Sequence, residues 1–217
     1  MVHKKPHQRH DKPKSNPKLD SSIVNITYDQ ARDQLAELIS RKALFFGDSI
    51  LPSGRITSNY LDLKEALLSA RGIYLSSMVV LNQLKDDVQA IGGTFTNTYS
   101  IAATTSQLAF IRGQELDTFF VRDNYNARRQ GLSKWVEGPL KPGAKVCLVL
   151  DEVVDGLNVI EMVRTLQQEA DAEILQVIAI VDRLDGAAPR LEEYGVDYTA
   201  ILTMRDIEKL ARVRVSG

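Results

Sequence analysis

The sequence predicts an α/β fold in which a mainly parallel central sheet carries helices on both faces. Segments with helix-like and strand-like patterns alternate along the chain, which is typical of strands joined by crossover helices. The segments 146–154 and 174–181 are also almost continuously apolar, as strands buried on both faces must be.

The first half of the fold is predicted to be mostly helical. Apolar residues recur at helical spacing over 29–42 and again over 71–86, so we expect an amphipathic helix in each range. A short irregular segment around 52–54 and an apolar stretch over 60–63 lie between them. A strand over 90–95 and a helix over 101–112 are expected next.

The second half continues the alternation. A strand over 118–122 leads into the polar segment 124–134, which has little to bury and is predicted to be a mobile surface loop. Turn residues at 139–143 then precede the remaining predicted elements. These are a strand over 146–154, a helix over 158–169, a strand over 174–181, a helix over 189–194, a strand over 198–202 and a last helix from residue 205.

The composition limits the classes of protein to which this chain can belong. A chain of 217 residues suits one mid-sized domain, or one domain plus a small appendage, and a net charge of −1 indicates no particular partner. Residues 1–20 contain six Lys/Arg against two Asp and almost nothing apolar, which predicts a disordered basic tail. This tail is either a solubilising extension or a weak contact for nucleic acid. No apolar run reaches the roughly 20 residues of a membrane helix, and the single cysteine, Cys147, fits a reducing cytoplasm.

The distribution of histidine excludes several kinds of active site. All three histidines lie in the first ten residues. The part of the chain that is predicted to fold therefore has no imidazole for general-base catalysis or a catalytic triad. With one cysteine as well, it lacks the usual ligand sets for zinc.

The segment 145–164 has the richest pattern for ligand binding. A buried strand ends at Asp151 and Glu152, and a short loop containing Asp155 and Gly156 leads into a helix. Ligands bind at the carboxyl ends of strands in open α/β sheets, and the N–H groups at the start of a helix suit phosphate. A purely structural explanation also fits, because Asp-Gly forms turns and Asn158 with a glutamate three residues later resembles a capping box.

This segment resembles the phosphoribosyl-pyrophosphate (PRPP) motif of type I phosphoribosyltransferases, an apolar strand followed by two acidic residues, two aliphatic residues and a small, hydroxyl-rich loop. Asp151 and Glu152 match the acidic pair if the loop is one residue shorter than usual, whereas a gapless register puts Leu150 at one acidic position. The resemblance implies that PRPP is bound by Asp151, Glu152, Asp155, Gly156 and Asn158.

Asp155 is unusual within that motif. A carboxylate repels phosphate, and two like unit charges 4 Å apart cost about 4 kcal/mol at an effective dielectric constant near 20. Rotation of the side chain into solvent, or a bridging Mg²⁺, would reduce this cost. The loop is therefore expected to bind PRPP poorly unless one of these occurs.

The region 46–63 resembles the base-binding region of orotate phosphoribosyltransferases. It contains Phe-Gly at 46–47, Ser-Gly-Arg at 53–55 and Ser-Asn-Tyr at 58–60, and other phosphoribosyltransferases cover the base with different N-terminal hoods. Together with the segments 136–143 and 181–203, the resemblance covers most of residues 30–207. It implies a hood over about 28–70 and a base site formed by Phe46, Ser53, Gly54, Arg55, Tyr60 and Arg183.

Two further motifs differ from the family pattern. In the family's mobile loop, Arg-Lys and Lys-x-His-Gly supply positive charge to the leaving pyrophosphate, usually across a dimer interface. Arg122 matches the family's arginine and Arg128 keeps a positive charge where the second motif has its lysine, so these two are the implied catalytic residues. Asp123 and Gln130 replace the other lysine and the histidine. The family's Gly-Ala-x-Pro turn is replaced by residues 97–100, and we expect Asn97 to preserve the turn with weaker affinity for pyrophosphate.

The resemblance implies an orotate phosphoribosyltransferase of pyrimidine biosynthesis, which converts PRPP and orotate into orotidine 5′-monophosphate and pyrophosphate. It also implies Mg²⁺ carried with PRPP without direct protein ligands, a homodimer and a cytoplasmic location. The altered motifs leave two alternatives open. One is a non-catalytic or regulatory protein that binds a nucleotide or ribose phosphate, and the other is a phosphoribosyltransferase for a different base.

Overall fold

A computed structural model describes residues 26–50, 56–94, 97–122 and 135–215. The predicted basic tail, the irregular segment at 52–54 and the predicted surface loop 124–134 lie outside these ranges. The elements are α1 (Tyr28–Lys42), β1 (Leu44–Ile50), β2 (Ile56–Leu61), α2 (Lys64–Leu67), α3 (Ala70–Gln83), β3 (Ala90–Thr94), α4 (Asn97–Ile111), β4 (Asp117–Val121), β5 (Val136–Glu137), β6 (Lys145–Val153), α5 (Leu157–Ala170), β7 (Glu173–Asp182), α6 (Ala187–Glu193), β8 (Tyr198–Thr203) and α7 (Met204–Val215).

The predicted α/β fold with a mainly parallel sheet is confirmed. The central sheet has the strand order β5-β4-β3-β6-β7-β8, and within the described part of this sheet only the short edge strand β5 runs antiparallel to its neighbour. Because the other strands are parallel, their carboxyl ends meet at one edge of the sheet. A ligand site formed by residues that follow these strands must lie at that edge.

Helices cover both faces of the sheet, which explains why the central residues of β6 and β7 are mainly apolar. Cys147 and Val149 of β6 face a core shared with α1, α3, α4 and α7, whereas Leu148 and Leu150 face a second core shared with α5 and α6. Alternate residues of a strand point to opposite faces, so both sets must be apolar. Burial also raises the pKa of the Cys147 thiol, which makes it an inert core residue.

The first helix begins with a signal that its sequence contains. The hydroxyl of Thr27 accepts a hydrogen bond from the N–H of Gln30 at 3.3 Å, and the Gln30 side chain accepts one from the N–H of Thr27 at 3.0 Å. This reciprocal pair is a capping box. The apolar face that follows, including Leu35 and Ile39, is fully buried against the first core.

The hairpin of β1 and β2 was not predicted as strands. Its pairing extends from Leu44 opposite Leu61 to Ile50 opposite Ile56, with an irregularity between Phe46 and Ser49. Leu44 and Leu61 are buried in the first core. An isolated two-stranded hairpin is at best marginally stable, so this one depends on packing against the core. The local sequence alone did not indicate the two strands for that reason.

No helix in the described parts of the chain is both long enough and apolar enough to cross a membrane.

Replacing Phe119 by alanine is expected to destabilise the protein by about 3–5 kcal/mol, because this β4 side chain is 1% exposed and a cavity would remain. Phe110, which is 65% exposed at the end of α4, is the matched control, and its replacement should change stability by less than about 0.5 kcal/mol. Urea unfolding of both variants measures the difference. Equal losses of stability would contradict the described packing of β4.

Candidate functional site at the carboxyl ends of the strands

The candidate site is built around an ion pair at the carboxyl ends of β6 and β7. The backbone N–H of Arg183, the first residue after β7, donates to the carbonyl of Val153 at 2.9 Å. Its guanidinium Nη1 lies 3.3 Å from Oε1 of Glu152, and the arginine side chain is 11% exposed. The structure therefore joins a residue predicted to bind PRPP with one predicted to bind the base.

The protonation of Glu152 depends on several charged neighbours. Burial raises the pKa of this carboxyl, the Arg183 guanidinium opposes the shift, and the nearby carboxylate of Asp151 adds to it. Lys64 also lowers this pKa. Lys64 is the first residue of α2, within the predicted hood, so the hood supplies positive charge to this end of the sheet. The oxygen Oδ1 of Asp151 accepts the N–H of Glu152 at 3.0 Å.

A buried carboxylate anchors the turn that carries Arg183. Asp182 is 3% exposed; its Oδ1 accepts the N–H of Leu184 at 2.6 Å, and its Oδ2 accepts the hydroxyl of Tyr198 at 3.0 Å. Leu184 adopts a left-handed conformation with φ 62°, which is unfavourable for a leucine. Burial and the Asp182 carboxylate both raise the pKa of the Tyr198 phenol, so the phenol remains a hydrogen-bond donor. Asp182 was not predicted as a site residue, since a strand-ending aspartate has no distinctive local pattern.

The loop between β6 and α5 confirms one structural prediction and contradicts another. Asp155 and Gly156 form the expected turn, with Gly156 at φ 81° as the residue before the helix. The capping box at Asn158 is wrong, because Asn158 is already the second residue of α5 and the left-handed Gly156 precedes the helix. Side-chain capping comes instead from Asp155, whose Oδ1 accepts the N–H of Leu157 at 3.1 Å.

Asp155 also connects the loop to the neighbouring helix α6. Its Oδ2 lies 3.7 Å from Nη1 of Arg190, and the same arginine donates a hydrogen bond to the carbonyl of Asp155. Arg190 was not predicted as a site residue. Only the opposite charges could have suggested the contact, because nothing in the sequence places α6 beside the loop.

Arg122 and Asn158 line one groove of about 470 Å³ beside α5, together with Thr94, Trp135, Thr165 and Glu169. The guanidinium of Arg122 donates to Oε1 of Glu137 from Nε at 3.2 Å and from Nη2 at 3.0 Å, and it lies 5.5 Å from the centre of the Phe120 ring. Two of its five N–H donors are thus directed to a carboxylate of the same chain.

The predicted turn at 97–100 is wrong, because these residues form the start of α4. The hydroxyl of Thr98, which is fully buried, donates to the carbonyl of Thr94 at 2.6 Å and connects the helix to the end of β3. A Cβ at Gly93 would lie 2.7 Å from that hydroxyl, so the close packing of helix and strand requires glycine there. The helical conformation at Asn97 makes a left-handed turn unnecessary.

The predicted base-binding residues are placed only in part. Phe46 is paired with Asn59 across the hairpin. Tyr60 is 44% exposed, and its ring centre lies 6.4 Å from that of Phe45. Four of the predicted site residues lie outside the described part of the chain, namely Ser53, Gly54, Arg55 and Arg128.

Curated proteins similar to this chain are orotate phosphoribosyltransferases. That of Streptomyces avermitilis is 37% identical over 175 residues, which cover 78% of this chain and 93% of the relative. That of Thermosynechococcus vestitus is 30% identical over 191 residues, which cover 88% and 97%. No protein-family model matches the chain.

Solved structures agree with these relatives. Orotate phosphoribosyltransferase of Mycobacterium tuberculosis in complex with Fe(III) dicitrate has a TM-score of 0.70 and 29% identity, covering 82% of this chain and 98% of that one. The same enzyme in complex with PRPP has a TM-score of 0.67 and 28% identity, covering 82% and 99%. A phosphoribosyltransferase from Corynebacterium diphtheriae has a TM-score of 0.69 and 30% identity, covering 82% and 98%.

Replacing Tyr198 by phenylalanine removes one hydrogen bond to the buried Asp182 and should destabilise the protein by about 1–3 kcal/mol. The control is Tyr194→Phe, since the Tyr194 hydroxyl accepts from Arg164 at an exposed position and its loss should cost less than about 0.5 kcal/mol. Thermal and urea unfolding measure both. Equal effects would mean that the Asp182 carboxylate does not depend on the phenol.

Replacing Glu152 by glutamine should alter how stability depends on pH. Because the folded pKa of Glu152 is raised above about 4.5, this carboxyl contributes stability below that pH which is lost as the pH rises through the folded pKa. The stability of the glutamine variant relative to the parent should therefore increase with pH through this window. The variant also loses the partner of Arg183, which lowers its stability by a constant amount at every pH. The measured quantity is therefore the slope of the stability difference against pH, from unfolding curves at several pH values. A difference that does not vary with pH would contradict the burial of Glu152.

Proposed function

The chain belongs to the orotate phosphoribosyltransferase family of type I phosphoribosyltransferases, and we propose that it converts PRPP and orotate into orotidine 5′-monophosphate and pyrophosphate. One observation carries this proposal. The 3.3 Å contact between Glu152 and Arg183 brings the PRPP motif and the predicted base-binding arginine to the same end of the sheet. A ribose with its base must span these two elements.

The proposed reaction makes modest demands on the protein. Phosphoribosyl transfer passes through an oxocarbenium-like transition state, so positioning and charge stabilisation are required rather than a protein nucleophile. This agrees with the absence of histidine from the described residues.

We propose that Asp151 and Glu152 accept hydrogen bonds from the ribose hydroxyls and that Arg183 binds the carboxylate of orotate. Arg183 suits this role because its guanidinium is fully charged and can pair with a carboxylate in a bidentate manner. Lys64, which acts electrostatically on Glu152, places a second positive charge near the bound base and ribose.

Arg122 and Arg128 are proposed to stabilise the leaving pyrophosphate. Arg122 stands at the end of β4 and lines the groove beside α5, where three of its N–H donors are not directed to Glu137. Mg²⁺ would be carried by PRPP and would offset the charge of the pyrophosphate without direct protein ligands. We further propose a cytoplasmic homodimer, as the family resemblance implies.

We propose that PRPP binding is weaker than the motif would otherwise provide. The carboxylate of Asp155 is hydrogen-bonded at the start of α5, and residues 97–100 are helical where the family has a glycine-containing turn. These features also favour a second candidate function, a non-catalytic or regulatory protein that binds a nucleotide or ribose phosphate. Turnover distinguishes the two.

The direct test is to incubate the purified full-length chain with PRPP, orotate and Mg²⁺ and to follow orotate absorbance. We expect turnover. Replacing Arg183 by methionine should raise KM for orotate roughly tenfold or more, because a charged hydrogen bond contributes about 1.5–3 kcal/mol. KM for PRPP should change much less.

The matched control is Arg164→Met on α5, whose guanidinium contacts Tyr194 at the surface, and its kinetics should equal those of the parent. Melting temperatures establish that both variants fold. No turnover by the folded parent would refute the enzymatic proposal, and calorimetric binding of PRPP at millimolar concentration would then favour the non-catalytic candidate.

A further inference from the structure

We propose that Asp155 occupies the phosphate-binding loop of this chain with its own carboxylate and thereby lowers the affinity of the loop for a ligand phosphate. The inference rests on the proposed function, in which the loop between β6 and α5 receives a phosphate group of PRPP. It concerns the affinity of that loop and a residue pair that the PRPP motif does not contain, Asp155 with Arg190.

The first evidence is the position of the carboxylate at the start of α5. Oδ1 of Asp155 accepts the N–H of Leu157, the first helical residue, at 3.1 Å. The first N–H groups of a helix have no acceptor within the helix, and these are the donors that a bound phosphate uses. Asp155 therefore takes a donor that a ligand phosphate would need, and it places a negative charge there.

The second evidence is that α6 holds Asp155 in this position. Arg190 lies 3.7 Å from Oδ2 and also donates to the backbone carbonyl of the same residue. Position 156 also requires glycine. A Cβ there would lie 3.2 Å from Leu191 of α6, and the φ of 81° disfavours other residues. Both the carboxylate and the carbonyl of Asp155 therefore face the arginine.

This arrangement masks two groups that attract phosphate. The helix start presents N–H donors and the positive end of the helix dipole, and Arg190 provides a guanidinium beside it. No acidic residue lies in the first turn of α5, so Asp155 is the carboxylate that opposes an anion at the helix start. Without the Asp155 side chain, Arg190 would keep its hydrogen bond to the carbonyl of residue 155 but would lose its carboxylate partner, which leaves its charge for a ligand phosphate.

The ion pair is weak enough for substrate to displace it. The side chains of Arg190 and Asp155 are 40% and 44% exposed, and exposed ion pairs contribute little to stability. A ligand phosphate can therefore bind after Asp155 moves aside, but with reduced affinity. The proposed enzyme should show a high KM for PRPP and an ordinary KM for orotate.

The experiment compares phosphate binding and kinetics in variants of the full-length chain. Inorganic phosphate is titrated by calorimetry into the parent, Asp155→Thr and Asp155→Asn, and KM for PRPP is then measured. Asp155→Thr should bind phosphate roughly tenfold more tightly or better, since a like-charge contact is removed, and KM for PRPP should fall by a similar factor. Asp155→Asn keeps the shape of the side chain but loses its charge, so it should also bind phosphate more tightly and have a lower KM for PRPP.

Two controls separate a local effect from a change in net charge. Asp87→Asn removes the same charge from an exposed residue beside the amino end of β6, where it pairs with Lys145, and should leave phosphate binding unchanged. Adding Arg190→Met to Asp155→Thr should cancel much of the gain in phosphate affinity, because the freed guanidinium is then absent. KM for orotate should stay constant in Asp155→Thr.

Equal phosphate affinity of the parent and both Asp155 variants would overturn the inference, and so would an equal gain in Asp87→Asn. The outcome is separate from that of the proposed function. If Asp155→Thr binds phosphate more tightly but neither protein converts PRPP and orotate, the inference stands and the enzymatic proposal fails. If the parent turns over and Asp155→Thr has an unchanged KM for PRPP, the enzymatic proposal stands and the inference fails.

Discussion

The parallel pairing of β6 with β7 determines where the candidate ligand groups lie. Glu152 is in register with Val181, and Val153 with Asp182, so both strands end at the same level. The chain that leaves β7 then donates the N–H of Arg183 to the carbonyl of Val153. This backbone pairing brings the guanidinium to Glu152, and the two apolar cores on either side of the strands keep it in place.

Opposite charges from different elements are paired at this end of the sheet. Glu152 contacts Arg183, Asp155 contacts Arg190, and Arg122 contacts Glu137. Each pair contains at least one residue that the PRPP, base or pyrophosphate motif assigns to a ligand. An anionic substrate bound as proposed would compete with a carboxylate of the chain at each position. Its affinity would then depend on local charge, whereas the fold depends on apolar burial.

Elements whose stability comes from their own apolar pattern were predicted well, whereas elements that depend on distant contacts were not. The bounds of β6, β7 and α1 were predicted within one or two residues. The strands are recognisable from their apolar runs and the helix from its apolar residues at helical spacing, so the buried positions can be read from each segment alone. The β1–β2 hairpin was missed, since it depends on Leu44 and Leu61 packing into a distant core. The capping box at Asn158 was wrong because α5 begins at Leu157, directly after the left-handed Gly156. The turn at Asn97 was wrong because α4 begins there, and the buried Thr98 hydroxyl connects this helix to β3.

By itself, the sequence determined the α/β class, the family resemblance and the residues that could carry charge to a ligand, because periodicity and motifs are local. Only the tertiary structure decided which of these charges are paired. The Asp155–Arg190 contact joins residues 35 positions apart, and it exists because α6 packs against the loop at Gly156. Likewise, the Asp182 carboxylate that accepts the N–H of Leu184 also accepts the Tyr198 hydroxyl, which the neighbouring strand β8 supplies. Such contacts depend on strand register and helix packing, which no local pattern specifies.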